Sequence, residues 1–184
     1  MTIPVATTPQ SRRIHIIGGP GSGKTTLARR LATKLDAPCC NLDEIGYEGG
    51  AGAKRPLDAK LEDVSRIAAQ PAWVTEGIFL WWTDELLREA DTIIWLDIPW
   101  RVAAWRIVKR HVRASLAGTN RHRGIRNLMC FLVNTRGYHN GRLNKLPTAP
   151  DDDGANSRAA TAEYLVRYKD KVIRYRNQAD VLSV

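Results

Sequence analysis

Short runs of β-branched and apolar residues alternate along the chain with segments of helical periodicity. Arg13-Ile14-His15-Ile16-Ile17 stops at Gly18, which predicts a buried strand entering a glycine loop. From Lys24 to Leu35, Leu27, Leu31 and Leu35 recur at i, i+4 and i+8, the stripe of a helix lying on a sheet. Asp36-Ala37-Pro38 ends it. A second strand is predicted at 39–42, a helix on Leu57, Leu61, Val64 and Ile67, and a third strand at Trp73-Val74-Thr75. A short helix over 83–90 leads to a fourth strand, Thr92-Ile93-Ile94-Trp95-Leu96. Pro99 suits the first turn of the next helix, running to Leu116 with Asp97 or a neighbour as its cap. Helices over 125–138 and 157–168 and a strand at 172–175 complete the series. The glycine-rich stretch from Gly46 to Gly52 and the 146–154 segment, with its three consecutive Asp, read as loops. Strands alternating with helices predict a three-layer α/β domain with a five-stranded, mainly parallel sheet.

At 184 residues, 43% hydrophobic and 26% charged, the chain has the makings of one domain rather than a disordered segment. No apolar run approaches the roughly 18–20 residues that span a bilayer, so no membrane partner is expected. Residues 1–11 read as a flexible tail, since MTIPVATTPQ lacks the charge and the apolar run of a leader. Cys39, Cys40 and Cys130 are odd in number and form no CxxC pair. That argues against a disulfide framework or a zinc site, and for a cytoplasmic location.

The net charge of +9 is concentrated in one segment. Residues 98–150 contain no Asp or Glu. Eleven of the 28 Lys and Arg lie there, and the other 17 face 19 acidic residues. Such a block attracts phosphate, on a nucleotide or on a nucleic-acid backbone. Its later part, 117–150, reads as a basic lid or insert.

Gly18-Gly19-Pro20-Gly21-Ser22-Gly23-Lys24-Thr25 fits G-x-x-x-x-G-K-[ST], with a strand before it and an amphipathic helix after it. Glycines at these positions let successive amides from Gly19 to Thr26 turn inward as an anion nest, and the helix start adds its dipole. Lys24 is placed to reach the β- and γ-phosphates, and the Thr25 hydroxyl to ligate Mg²⁺. Asp43 and Glu76 each follow a predicted strand, at the carboxyl ends of the strands where ligands of open α/β sheets bind. A carboxylate there can take a hydroxyl proton or support a metal's water shell, so both are candidate catalytic and metal-site residues. Arg106, Arg110 and Arg113 fall within an arc of about 60° on their helix, opposite Ala104, Trp105, Val108, Val112 and Leu116. That predicts a packed apolar face and a face of guanidiniums aimed at phosphate. Arg121, Arg123 and Arg126 are further lid candidates. Trp73 and Trp95 are expected in the core, and Trp81, Trp82 and Trp100 in the core or at the rim of an acceptor pocket.

Taken together, IIGGPGSGKTTLARRLA, NLDEIGYEG, WVTEGIF and ADTIIWLDIPWRVAAWRIVKR resemble the P-loop small-molecule kinases, similar in layout to adenylate, shikimate and gluconate kinases. They look most like the adenylate-kinase-related proteins labelled DNA topology modulation proteins, with a weaker echo in VIRYRNQADVL. The resemblance implies ATP with Mg²⁺, an acceptor site beyond Asp43, an Arg-bearing lid after the fourth strand, and adenine near Arg176 and Asn177. Glu76 stands where several such kinases carry Asp.

The reading is therefore an ATP- and Mg²⁺-dependent phosphotransferase acting on a small hydroxyl-bearing acceptor, a nucleoside or another metabolite. A nucleoside monophosphate kinase is one alternative. An ATP-binding protein that uses the 98–150 block on nucleic acid is a less favoured one. A monomer and a homodimer both remain open.

Overall fold

The computed structural model describes residues 12–118, 124–140 and 147–177. Five strands form one sheet in the order β2-β3-β1-β4-β5, every pair parallel. They are β1 (Arg13–Gly18), β2 (Cys39–Asn41), β3 (Trp73–Gly77), β4 (Thr92–Leu96) and β5 (Val172–Tyr175). The helices are α1 (Lys24–Leu35), α2 (Leu42–Gly46), α3 (Leu57–Ala68), α4 (Asp84–Glu89), α5 (Trp100–Leu116), α6 (Ile125–Asn140) and α7 (Arg158–Leu165). This is the expected three-layer P-loop kinase fold.

Strand β1 is central and covered on both faces, which is why it reads as a near-continuous apolar run. Ile14 and Ile16 join Leu27, Ala28 and Leu31 of α1 on one face. Ile17 joins Leu42, Val64, Trp73 and Leu86 on the other. His15, fully buried in this strand, bonds Thr75 Oγ1 at 2.8 Å, and burial lowers its pKa to about 4. Helix α1 stops as predicted. Asp36 turns left-handed (φ 49°), and the Ala37 N–H closes back on Ala32 O.

Several expectations change. Leu42 does not prolong β2 but opens α2, because Asn41 Oδ1 accepts the Asp43 N–H and caps a helix there. The glycine-rich stretch continues into a 3-10 turn at Glu48–Gly50. The helix predicted at 157–168 ends at Leu165, and a 3-10 segment continues to Lys171. Asp97 is not the cap of α5. Pro99 holds that position, and Asp97 is committed to arginines.

The apolar face predicted for α5 does not pack. Only Ala103 and Ile107 are buried on this helix, whereas Trp105 is 61% and Leu116 84% exposed, with Val108 and Val112 also exposed. The helix lies against the glycine loop by its first two turns and then runs beyond the sheet. In the lid region α6 is a regular helix that buries Thr135 and Tyr138. The tail, Arg121, Arg123, Arg142, Lys145 and the end of the VIRYRNQADVL block lie outside the described residues.

Candidate active site

The loop between β1 and α1 is held open by backbone that only glycine adopts easily. Gly21 (φ 77°) and Gly23 (φ 96°) are left-handed. A Cβ on Gly21 would sit 2.7 Å from Ala103 O of α5, so that helix fixes the loop's outer wall. A Cβ on Gly19 would meet the Tyr138 ring at 2.6 Å, which brings the end of α6 onto the loop as well. Pro20 is half-buried, and Ser22 is buried with its hydroxyl unbonded. Helix α1 begins at Lys24 with no side-chain cap and no acid in its first turn, so its amides and dipole are left for an external anion. Thr25 and Thr26 stand exposed in that turn.

Glu76, at the end of β3, is 2% exposed and lies under this turn. Its Oε1 accepts the Thr25 hydroxyl at 2.8 Å, and its Oε2 has no hydrogen-bond partner but lies 4.0 Å from Lys24 Nζ. Burial raises the Glu76 pKa, helped by the charge of Asp43, while Lys24 and Thr25 oppose the rise. Asp43, in the first turn of α2, is half-buried. Burial raises its pKa too, the charges of Asp153 and Glu44 add to that, and Lys24 opposes it. The fold thus brings Lys24, Thr25, Asp43 and Glu76 to the carboxyl end of the sheet, as the strand ends suggested.

The arginines of α5 divide. Arg106 donates to Ser22 O at 2.7 Å and to Gly21 O at 3.3 Å, bracing the loop by its carbonyls. Arg110 and Arg113 are exposed and, with Trp105, Arg106 and Lys109, line an open groove of about 590 Å³. Arg126 is exposed on α6. A second cavity, about 340 Å³, opens beyond β4 and β5 and is lined by Asp97, Trp100, His139, Arg158 and Arg176. Asp97 is the hub of that cavity. Burial alone would raise its pKa, but hydrogen bonds from Arg158 (2.5 and 2.8 Å) and Arg174 (2.5 and 3.1 Å) outweigh it and hold the carboxyl below its ordinary range. Arg176 approaches Asp97 to 3.8 Å, and Asn177 next to it is exposed.

Over 131 residues the chain is 31% identical to the shikimate kinase of Corynebacterium efficiens, covering 63% of this chain and 76% of that enzyme. The chain belongs to the shikimate-kinase-like P-loop kinases. It is an ATP-dependent small-molecule kinase that phosphorylates a hydroxyl acceptor. Two solved structures are similar in fold. A shikimate kinase from Bacteroides thetaiotaomicron is 15% identical with a TM-score of 0.48, covering 93% of the kinase described here and 92% of its own chain. A gluconokinase from Sinorhizobium meliloti 1021 is 16% identical with a TM-score of 0.43, covering 67% and 93%. No protein-family model matches the chain. Among the described residues, no helix of the kinase is long and apolar enough to cross a membrane.

Two features of the site escaped sequence reasoning. The Asp97 hub needs β5 and α7 beside β4, and Asp97-Ile98-Pro99 looks locally like a cap. The second is Asp153, whose carboxylate accepts the Tyr47 hydroxyl (2.9 Å) and the Trp82 indole N–H (3.2 Å) across more than 70 residues of chain. Its only signal was the run of three Asp.

Proposed function

We propose that Lys24 and the loop amides from Gly19 to Thr26 hold the β- and γ-phosphates of ATP, and that Asp43 positions and deprotonates the acceptor hydroxyl. The supporting observation is the meeting of Lys24, Thr25, Asp43 and Glu76 beside an uncapped helix start. The acceptor oxygen attacks the γ-phosphorus and its bond to the β–γ bridging oxygen breaks. ADP leaves, and the hydroxyl proton passes to Asp43. Little covalent work falls to the protein, so positioning and charge dominate.

Mg²⁺ fits the donor set. The Thr25 hydroxyl and the buried, unbonded Glu76 Oε2 offer oxygen to a cation that takes one or two protein groups and completes its shell with water and phosphate. Asp43, whose charge acts on Glu76, would be a further oxygen donor for that shell. When bound, the cation would spread the charge building on the phosphate oxygens. Arg106 sets the shape of the loop, and Arg110 and Arg113 supply positive charge beside it. Arg176 and Asn177 border the base of the nucleotide at the second cavity. The chain acts as a single P-loop domain over 1–184, with the basic 117–150 stretch as its lid. The NLDEIGYEG and WVTEGIF blocks support the adenylate-kinase-related branch, whose DNA-topology label describes no reaction.

The test is ADP release across a panel of hydroxyl compounds with wild type and Lys24→Ala. The proposal expects acceptor-dependent release that the variant loses while keeping its fold. Wild-type turnover in the variant would overturn it. The exposed groove of Trp105, Lys109, Arg110 and Arg113 favours a second reading, association with nucleic acid. Titration with salt separates the two, because a phosphate-backbone binder loses affinity steeply as salt rises.

A further inference from the structure

Helix α5 carries its most apolar line where a surface helix usually carries its most polar one. Its buried side, Ala103 and Ile107, forms the outer wall of the glycine loop, with Ala103 O and Ile107 Cγ1 turned to Gly21. At about 100° per residue, Trp105, Val108, Val112 and Leu116 fall within an arc of about 80° on the opposite side. All four are exposed, Trp105 and Leu116 by more than half. Helix α6, which packs on α5, repeats the arrangement. Ile125, Met129 and Val133 recur at i, i+4 and i+8, each more than half exposed, on the far side of the helix from buried Thr135 and Tyr138. Single exposed hydrophobes are ordinary, but two continuous lines on neighbouring helices mark a binding surface.

The charges beside these lines define the partner. Arg101 stands at the start of the α5 line, and Lys109 and Arg113 run along one edge. Arg126 and Arg136 flank the α6 line. All five are exposed, and no Asp or Glu occurs between residues 98 and 150 to offset them. The complementary occupant is both apolar and anionic. A second copy of the chain would set arginine against arginine. Nucleic acid supplies the anion, but the aliphatic residues of both lines give its bases no ring to stack on. Trp105 could do so, yet the Lys109 ammonium already stands 4.5 Å from the centre of its ring. A protein partner would need an acid-lined groove matched to the ridge, which runs about 17 Å from Trp105 to Leu116. Fluid lipid needs no matching shape. At a bilayer face, Trp and aliphatic chains enter the boundary between headgroups and acyl carbons, while Lys and Arg reach up to anionic headgroups. Crossing a bilayer takes an apolar run of about 20 residues; lying on its face takes only a basic helix with one apolar line.

We propose that the outward face of α5, extended by α6, is a docking surface for an anionic lipid bilayer, entered by Trp105, Val112 and Leu116. This face lies opposite the wall of the glycine loop, so adsorption leaves the loop uncovered.

The test is flotation of the full chain with vesicles of phosphatidylcholine, alone or with about one-third phosphatidylglycerol. The wild type is expected to partition at least tenfold more strongly onto the anionic vesicles. Val112→Ser combined with Leu116→Ser keeps every charge and alters only exposed positions, with circular dichroism as the check on folding. It is expected to cut that partition at least tenfold, because both apolar contacts are lost. The blue shift of tryptophan emission on adding anionic vesicles should shrink in Trp105→Phe. Equal flotation of the wild type and the double variant would reduce the binding to charge alone and overturn the proposal, as would no flotation at all. A dimer in light scattering that the double variant dissolves would assign the face to a second copy instead. An oligonucleotide complex weakened tenfold by the same two substitutions would assign it to nucleic acid, and either result overturns the proposal.

Discussion

At the end of the sheet proposed to hold the nucleotide, one contiguous stretch from Gly18 to Thr26 supplies the loop, the helix start, the lysine and the hydroxyl. Beyond Asp43, where the acceptor is proposed to bind, Tyr47, Trp82 and Asp153 come from separate regions and meet through bonds spanning up to 106 residues. The first end works through backbone, since any side chain at Gly21 or Gly23 would strain or obstruct it. The second works through side chains held by the loop ahead of α7. Backbone sites tolerate little change in their own residues but depend on few others, and assembled sites show the reverse. Nucleotide binding and acceptor choice should therefore be separable by mutation.

The largest effect should fall on the nucleotide end. Lys24→Ala is expected to lower kcat by roughly 10²–10³, the scale for removing one preorganised charge from a developing phosphate charge, with circular dichroism unchanged. At the acceptor end, Asp43→Asn should lower kcat by about 10², as for the loss of a general base. The wild-type pH profile sharpens this point. The pKa values of Asp43 and Glu76 are both raised, chiefly by burial, and a base works only when deprotonated. Activity must therefore fall on acidification at a pH above the ordinary carboxylate range, and Asp43→Asn should remove the Asp43 share of that dependence from the residual rate and leave the share of Glu76.

The loop ahead of α7 can be probed by stability. Asp151→Asn leaves Lys60 buried without its anion and should cost roughly 2 kcal/mol, read as a lower denaturation midpoint. Adding Lys60→Met should restore part of the loss, because the unpaired charge goes with it. The smallest effect is expected on α5. Replacing Arg110 and Arg113 by Gln should lower kcat/KM about tenfold at low salt and less at high salt, since both are exposed and screened.

The same contrast explains what could be read from the sequence. The inner strands β1, β3 and β4 were legible because a parallel sheet covered on both faces demands short buried runs. The glycine loop and the start of α1 were legible because they lie within nine consecutive residues, and the placing of Asp43 and Glu76 at the same end of the sheet because β2 and β3 end close to them. The Asp97 hub was misread as a cap because its partners Arg158 and Arg174 lie 61 and 77 residues away. Helix α5 was misread for a related reason. Its periodicity promised a packed face, but its second half extends past the sheet, and periodicity cannot report whether anything lies opposite. Nor could a run of three Asp reveal that Lys60, a residue type seldom buried, was waiting beneath Trp82.

The most direct test of the separation between the two ends is calorimetric titration of MgATP into Lys24→Ala and Asp43→Asn. The two-ended account predicts that Asp43→Asn binds within about twofold of wild type while Lys24→Ala weakens at least tenfold, or about 1.4 kcal/mol. Equal weakening in both variants would contradict it, and would make Asp43 part of the nucleotide site.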